Sequence, residues 1–152
     1  MLQARMGFQF ADQAILRQAL VHRSLANEVD MSRADSNERM EFLGDAVLGL
    51  VTTEMLYQRH PDYDEGLLSI IRSSLVNRNA AASFAKALDL GSCLQVAAGA
   101  EKTGARQRSS ILGRAFEALV GAIYLDAGLE SARSFLAPFL DGALSEGGIA
   151  GP

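Results

Sequence analysis

The chain has 152 residues, of which 49% are hydrophobic and 21% charged, and this composition is typical of one globular domain. No apolar run reaches the roughly 20 residues of a membrane helix, and the N-terminal MLQARMGFQF has no signal-peptide layout. The single Cys93 excludes an intramolecular disulfide. We therefore expect a cytoplasmic protein with no membrane partner, and any bound metal to be a hard cation held by oxygen.

The charge of the chain is unevenly distributed. The net charge of −4 argues at first against a nucleic-acid partner. However, residues 72–114 hold seven basic and two acidic side chains, a net charge of +5, and the remaining residues carry a net charge of −9. Such an asymmetry indicates a charged partner more directly than the overall charge excludes one.

Apolar residues at helical spacing predict an all-α fold. The predicted helices, in chain order, are one after the N-cap Asp12, one from about Asn37 to Arg59, and four over 67–76, 78–88, 110–127 and 129–144. Residues 91–109 are predicted to be mainly loop, Ser110 to cap the helix that follows it, and Pro138 to kink or break the last helix. We expect one domain over residues 1–145 and a Gly-rich tail or linker over 146–152.

Residues 37–48, NERMEFLGDAVL, place three carboxylates on one face of the second predicted helix. At 100° per residue, Glu38, Glu41 and Asp45 fall within about 60° of one another. Neighbouring like charges destabilise a helix, and a bound Mg²⁺ or Mn²⁺ would offset their repulsion. The alternative explanation is an ordinary solvated acidic face.

Two residues within this motif weaken the solvated-face explanation. Phe42 lies about 40° from Glu38 on the helical wheel, and a large apolar side chain beside carboxylates indicates contact with another chain or element. Gly44 costs about 1 kcal/mol in a helix interior relative to Ala. That cost is understandable if the absent side chain lets another element approach closely.

A second motif lies in residues 110–126, where Glu117 interrupts a helix that is otherwise apolar nearly all round. A carboxylate in such a helix needs an ion-pair partner or a cation. The two candidates are Arg114, three residues earlier, and the metal of the first motif.

These two motifs make the chain resemble the catalytic domain of ribonuclease III. Residues 37–48 are similar to the family's signature, with Met40 where Leu is usual, and residues 116–126, FEALVGAIYLD, are similar to its second motif. The resemblance implies an all-helical, homodimeric endoribonuclease. Such an enzyme hydrolyses phosphodiester bonds in double-stranded RNA, as in rRNA processing, and leaves 5′-phosphate and 3′-hydroxyl ends.

The resemblance also implies roles for the acidic residues. The ligands of Mg²⁺, or of Mn²⁺ in its place, would be Glu41, Asp45 and Glu117. Asp45 and Glu117 would be the residues most tied to catalysis, with Glu38 as a supporting catalytic carboxylate.

The remaining expectations concern partners of the site. By resemblance, Phe42 inserts into a pocket of the partner subunit, and Glu65 is an acidic neighbour of the site. Double-stranded RNA hides its base edges in a deep groove, so recognition by shape and phosphate is expected. We predict the phosphate contacts at Lys102, Arg106 and Arg108, with a solvated loop as the alternative explanation of these three charges.

The chain departs from the family at Arg114, where most ribonuclease III domains have Asp. An arginine has no acceptor and cannot ligate a cation, and it can pair with Glu117 or Asp45 instead. Two functions are consistent with this departure: an active enzyme with three carboxylate ligands, and a weak or inactive protein that binds double-stranded RNA or ribosomes. A purely helical interaction module also remains open, although it would leave Glu117 and Phe42 unexplained. A helical nucleotide pyrophosphohydrolase is excluded because its second motif, ExxD, is absent: Val120 stands three residues after Glu117.

Overall fold

Helices account for nearly all regular structure in the computed structural model, which describes residues 1–28 and 35–146. Nine α-helices lie within those ranges: α1 (Leu2–Met6), α2 (Gln13–Ala19), α3 (Arg23–Glu28), α4 (Glu38–Arg59), α5 (Glu65–Val76), α6 (Arg78–Ala87), α7 (Ala98–Lys102), α8 (Ser109–Ala127) and α9 (Leu129–Glu146). The β pairing found there is an isolated parallel bridge between Val21 and Gln95. The predicted all-α fold is confirmed.

The long helices begin and end where the sequence predicts. The Asp12 carboxylate accepts a hydrogen bond from the Ala14 N–H at 3.0 Å and caps α2. α4 runs from Glu38 to Arg59, shortly before Pro61. None of the described helices is both long and apolar enough to cross a membrane.

Other boundaries differ from the prediction. Ser110 is not a cap, because α8 already begins at Ser109 and has no side-chain cap. α9 continues through Pro138 to Glu146, so the helix does not break at the proline. The short helices α1 and α3 are absent from the prediction, since five or six residues are too few to show a period. The short helix α7 lies within residues 91–109, which are predicted to be mainly loop. The predicted tail lies outside the described residues, except for Glu146.

The core of the domain surrounds α8. This helix packs against α2, α4, α6 and α9, and its Phe116, Leu119 and Ile123 are fully buried. The Phe116 ring lies 5.4 Å from that of Phe84 and 5.3 Å from that of Phe139, measured between centroids. Burial of each such side chain contributes about 1.5–3 kcal/mol to folding stability. Because other helices pack around α8, apolar residues are favoured on nearly all of its sides.

Glycines allow α4 and α8 to touch backbone to backbone. A Cβ on Gly44 would overlap the backbone carbonyl of Glu117, and a Cβ on Gly121 would overlap that of Met40. The close approach expected at Gly44 is therefore made by α8. This crossing places Glu117 directly beside the carboxylate face of α4.

Polar contacts fix the start of α4. Asn37, which is buried, donates from Nδ2 to the Ala19 carbonyl at 3.2 Å and from its N–H to the Val21 carbonyl at 2.8 Å. The His22 N–H in turn donates to the Gln95 carbonyl at 2.9 Å. The first turn of α4 is thereby held against the junction of α2 and α3.

Substitution of Gly44 by Ala tests this crossing. We expect Gly44→Ala to lower the free energy of unfolding by about 3 kcal/mol, because the new methyl group forces the helices apart. Gly49→Ala is the matched control: it lies on the same helix and its Cβ would meet no described atom within 4 Å. That variant should gain up to about 1 kcal/mol from helix propensity. Urea denaturation measures both, and equal stabilities would contradict the crossing.

Candidate active site

The centre of the candidate site is a pair of carboxyl groups, Asp45 on α4 and Glu117 on α8. Burial raises the pKa of Glu117 from 4.5 to about 8, helped by a hydrogen bond to Asp45 and by the negative charges of Asp45 and Glu41. At neutral pH Glu117 therefore keeps a proton, because burial and the neighbouring negative charges disfavour its ionised form. A proton or a cation must stand between them.

Glu41 lies one turn before Asp45 and is half-buried. Burial raises the pKa of Glu41, Arg114 opposes that rise, and Glu38 adds to it. The Arg114 Nε atom lies 3.7 Å from Glu41 Oε1. Arg114 thus pairs with Glu41, whereas the sequence pointed to Glu117 or Asp45.

Glu38 opens α4 on the same face. Its Oε1 atom is buried and has no hydrogen-bond partner among the described residues. A buried acceptor without a donor costs about 1–3 kcal/mol, and more when it is charged. A cation, a water molecule or a ligand hydroxyl at this atom would remove that cost.

These residues fit a hard cation by chemistry, although they do not form a finished cage. Asp45 and Glu117 supply paired oxygen ligands, and Glu41 adds a third if it leaves Arg114. Within the part of the chain that the structure describes, no three Asp, Glu, His or Cys side chains already converge as a metal-binding group. Asp45, Glu117 and Glu41 are the residues that would hold such a cation, and its positive charge would favour the ionised form of Glu117.

Phe42 and Glu65 are both exposed on the surface of the domain. Phe42 is 84% exposed on α4. Glu65 begins α5 and borders a pocket of about 420 Å³ between α4 and α5, here called the α4–α5 pocket, whose apolar lining consists of Leu56, Tyr57, Tyr63 and Leu68. One chain therefore carries both an exposed aromatic ring and a pocket with a partly apolar lining.

The three predicted RNA-binding residues have different surroundings. Lys102, at the end of α7, is exposed. Arg106 is turned inward, where it pairs with Glu101 Oε1 at 3.0 Å and donates to the carbonyls of Gly91, at 3.0 Å, and Leu94. Its guanidinium holds the loop after α6 together, and its contact with RNA stays a prediction.

Arg108 belongs to a group of arginines that sequence reasoning only partly found. Four arginines and two glutamates line a pocket of about 330 Å³, here called the arginine pocket: Arg23, Arg78, Arg108, Arg114, Glu38 and Glu41. Arg23 and Arg78 were missed because they come from distant segments. No sequence spacing indicates that the first residues of α3 and α6 line the same pocket.

The raised pKa of Glu117 predicts a pH dependence of stability without metal. Between about pH 4.5 and pH 8 the unfolded chain releases the Glu117 proton and the folded chain retains it. Folding stability from this group therefore falls as the pH rises through that window. Glu117→Gln should gain stability relative to the unmodified chain progressively from pH 4.5 to 8, measured by urea denaturation in chelator. A pH-independent difference would contradict the pairing.

Proteins of similar sequence place the chain in a family. Residues 12–142 match the family described as Ribonuclease-III-like. The chain is 42% identical over 146 residues to Ribonuclease 3 of Roseiflexus sp. (strain RS-1), which covers 95% of this chain and 62% of that protein. It is 48% identical over 135 residues to Ribonuclease 3 of Desulforamulus reducens, which covers 89% of this chain and 55% of that protein.

A solved structure agrees with the sequence relatives. The nuclease domain of ribonuclease III from Campylobacter jejuni, which has a region involved in dimer formation, matches with a TM-score of 0.86 and 36% identity. The match covers 95% of this chain and 96% of that one. The chain spans about three-fifths of the length of the curated relatives it matches. By sequence and by fold, the chain belongs to the ribonuclease-III-like family and has the fold of a ribonuclease III nuclease domain.

Proposed function

We propose that this domain is a divalent-cation-dependent endoribonuclease that hydrolyses phosphodiester bonds in double-stranded RNA in the cytoplasm, including ribosomal RNA precursors. Mg²⁺ is the proposed cation, and Mn²⁺ can replace it. The observation that carries the proposal is the Asp45–Glu117 pair: burial raises the pKa of Glu117 to about 8, and the hydrogen bond to Asp45 and the negative charge of Asp45 add to the rise. Family membership over residues 12–142 supports it.

In this proposal Asp45 and Glu117 hold the cation, with Glu41 as a third ligand once it separates from Arg114. When bound, the cation would supply hydroxide near neutral pH and neutralise charge on the phosphate oxygens. Glu117 gives up its proton on loading, because a nearby positive charge favours the ionised carboxyl. The unpartnered Glu38 Oε1 can orient a water molecule at the edge of the site.

Cleavage of a double-stranded RNA tests the proposal. We expect cleavage with Mg²⁺ and none with chelator, and a loss of at least about 100-fold in Glu117→Gln or Asp45→Asn, because removing one charge-stabilising group costs that much. Gel analysis of end-labelled RNA measures the rate, with Arg59→Ala as the control because its partner, Asp141, lies on α9. Cleavage that survives chelator would contradict metal dependence.

A second candidate function is binding of double-stranded RNA without efficient cleavage. The Arg114–Glu41 pair, at 3.7 Å, favours it because the pair occupies a proposed metal ligand. RNA retained on the protein in Mg²⁺ and never cut would favour this second function over the first.

Arg114→Asp separates the two functions. The change frees Glu41 and adds a carboxylate beside the metal site, so we expect a lower Mg²⁺ concentration for half-maximal cleavage. Titration of Mg²⁺ at saturating RNA measures it. If the half-maximal concentration does not change, Arg114 does not limit metal binding.

We also propose that the domain acts as a homodimer in which Phe42 of one copy inserts into the α4–α5 pocket of the other. The ring of Phe42 is 84% exposed, and the 420 Å³ pocket offers it the apolar side chains of Leu56, Tyr57, Tyr63 and Leu68 beside four polar or charged residues. A two-fold interface can pair such surfaces of two copies of one chain. The dimer-forming nuclease domain from Campylobacter jejuni supports the proposal.

Phe42→Ala should weaken this dimer by about 2 kcal/mol or more, roughly 30-fold in the dissociation constant, because central aromatic anchors dominate interfaces. Sedimentation equilibrium measures the change. Leu125→Ala is the matched control, since Leu125 is 53% exposed on α8 and does not line the pocket. Equal dissociation constants for the two variants would contradict the proposed contact.

A further inference from the structure

The arginine pocket is lined by Glu38 and Glu41 but not by Asp45 or Glu117, and the proposed metal chemistry does not use its positive charges. Its guanidinium groups come from four segments: the starts of α3 and α6, the residue before α8, and the second turn of α8. With two glutamates in the lining, the pocket keeps an excess of positive charge.

Little of that positive charge is neutralised within the described residues. Arg114 reaches Glu41 only at 3.7 Å. Arg108 donates to the Thr103 carbonyl at 3.0 Å, which leaves its charge without a counter-ion. Arg23 and Arg78 form no ion pair with a described carboxylate within 4.0 Å. Arginines concentrated in a concave site without enough acids fit an anionic ligand.

His22 adds a neutral donor to the same pocket. Its Nδ1 accepts the Ser24 N–H at 3.1 Å and lies 2.8 Å from the Ser24 hydroxyl, so the ring proton is on Nε2. Burial lowers the pKa of His22, as do the charges of Arg23, Arg108 and Arg114, although Glu38 opposes them. The ring therefore stays neutral at pH 7, and the positive charges around it contribute to its lowered pKa.

The first turn of α8 forms another wall of this pocket. α8 begins at Ser109 without a side-chain cap, and Ser110 and Ile111 line the cavity. The first N–H groups of a helix have no acceptor within the helix and carry a partial positive charge. In a site that already holds four guanidinium groups, they favour the same kind of ligand.

We propose that the arginine pocket binds one phosphate group of the RNA backbone, adjacent to the phosphodiester at the Asp45–Glu117 pair, and that Arg114 exchanges Glu41 for this phosphate. The guanidinium fork matches phosphate oxygens in a two-point contact. A cavity of 330 Å³ holds a phosphate and its water but not a duplex, so a single backbone group enters it. The identification of RNA as the source of the phosphate rests on the proposed function.

The exchange gives Arg114 a positioning role. When the phosphate draws the guanidinium away, Glu41 is released toward the cation side of α4. RNA binding and completion of the metal site are then coupled through one side chain. The residue that departs from the family pattern thereby becomes a contact to the substrate.

The test measures binding, in chelator, so that no cleavage occurs and failure of the proposed catalysis does not affect it. Affinity for a short duplex RNA is measured by fluorescence anisotropy across a salt series. We expect Arg114→Ala and Arg78→Ala each to bind about tenfold more weakly and to reduce the slope of log K against log salt by about 1. Arg59→Ala, which removes the same charge beside Asp141 on α9, should change neither.

Two further measurements make each outcome decisive. Arg78→Lys keeps the charge and loses the fork, and it should restore the salt slope but only part of the affinity. Inorganic phosphate, titrated by NMR of the arginine Nε–H groups, should shift the signals of Arg23, Arg78 and Arg114 but not that of Arg59. Equal losses in Arg59→Ala and Arg114→Ala would overturn the proposal. Phosphate shifts without any change in RNA affinity would assign the pocket to a small free phosphate and would overturn the RNA contact.

Discussion

The contact between Gly44 and Gly121 at the crossing of α4 and α8 is the constraint on which the candidate site depends. Each glycine leaves room for a backbone carbonyl of the opposite helix. Because the helices meet at backbone distance, the side chains of Asp45 and Glu117 emerge from the crossing into contact. A crossing between larger residues holds helix axes 8–10 Å apart and would separate the two carboxyl groups.

The fold around this crossing holds the two carboxyl groups together despite their electrostatic repulsion. α8 is anchored by Phe116 and its aromatic neighbours, and α4 by the buried Asn37 at its first turn. The free energy of this packing offsets the cost of burying Glu117 beside Asp45. Because burial and the neighbouring carboxylates disfavour its ionised form, Glu117 retains a proton. A cation that replaces the proton would gain from the same crowding. The net charge of −4 thus includes a concentrated acidic site beside an arginine pocket, and it does not argue against a nucleic-acid partner.

The sequence predicts those parts of the site that lie on one helix. The helical period of α4 predicts that Glu38, Glu41 and Asp45 share one face. Gly44 predicts that another element approaches this helix closely, without indicating which one. The identity of that partner required the fold. Arg106 shows what the sequence does not predict. Its place in a basic stretch suggested a surface contact with RNA, but in the structure its guanidinium donates to a backbone carbonyl. Whether an arginine faces solvent or the protein depends on tertiary contacts that no local pattern contains.

The most direct test of the central claim is the titration of the Glu117 side chain by carbon-detected NMR in chelator, with Asp45→Asn as the comparison. We predict a pKa of about 8 for Glu117 in the unmodified chain. The pKa should be lower in Asp45→Asn, and it should also be lower in the unmodified chain once Mg²⁺ is added. A pKa near 4.5 that responds to neither change would contradict the pairing of the two carboxyl groups and the cation site built on it.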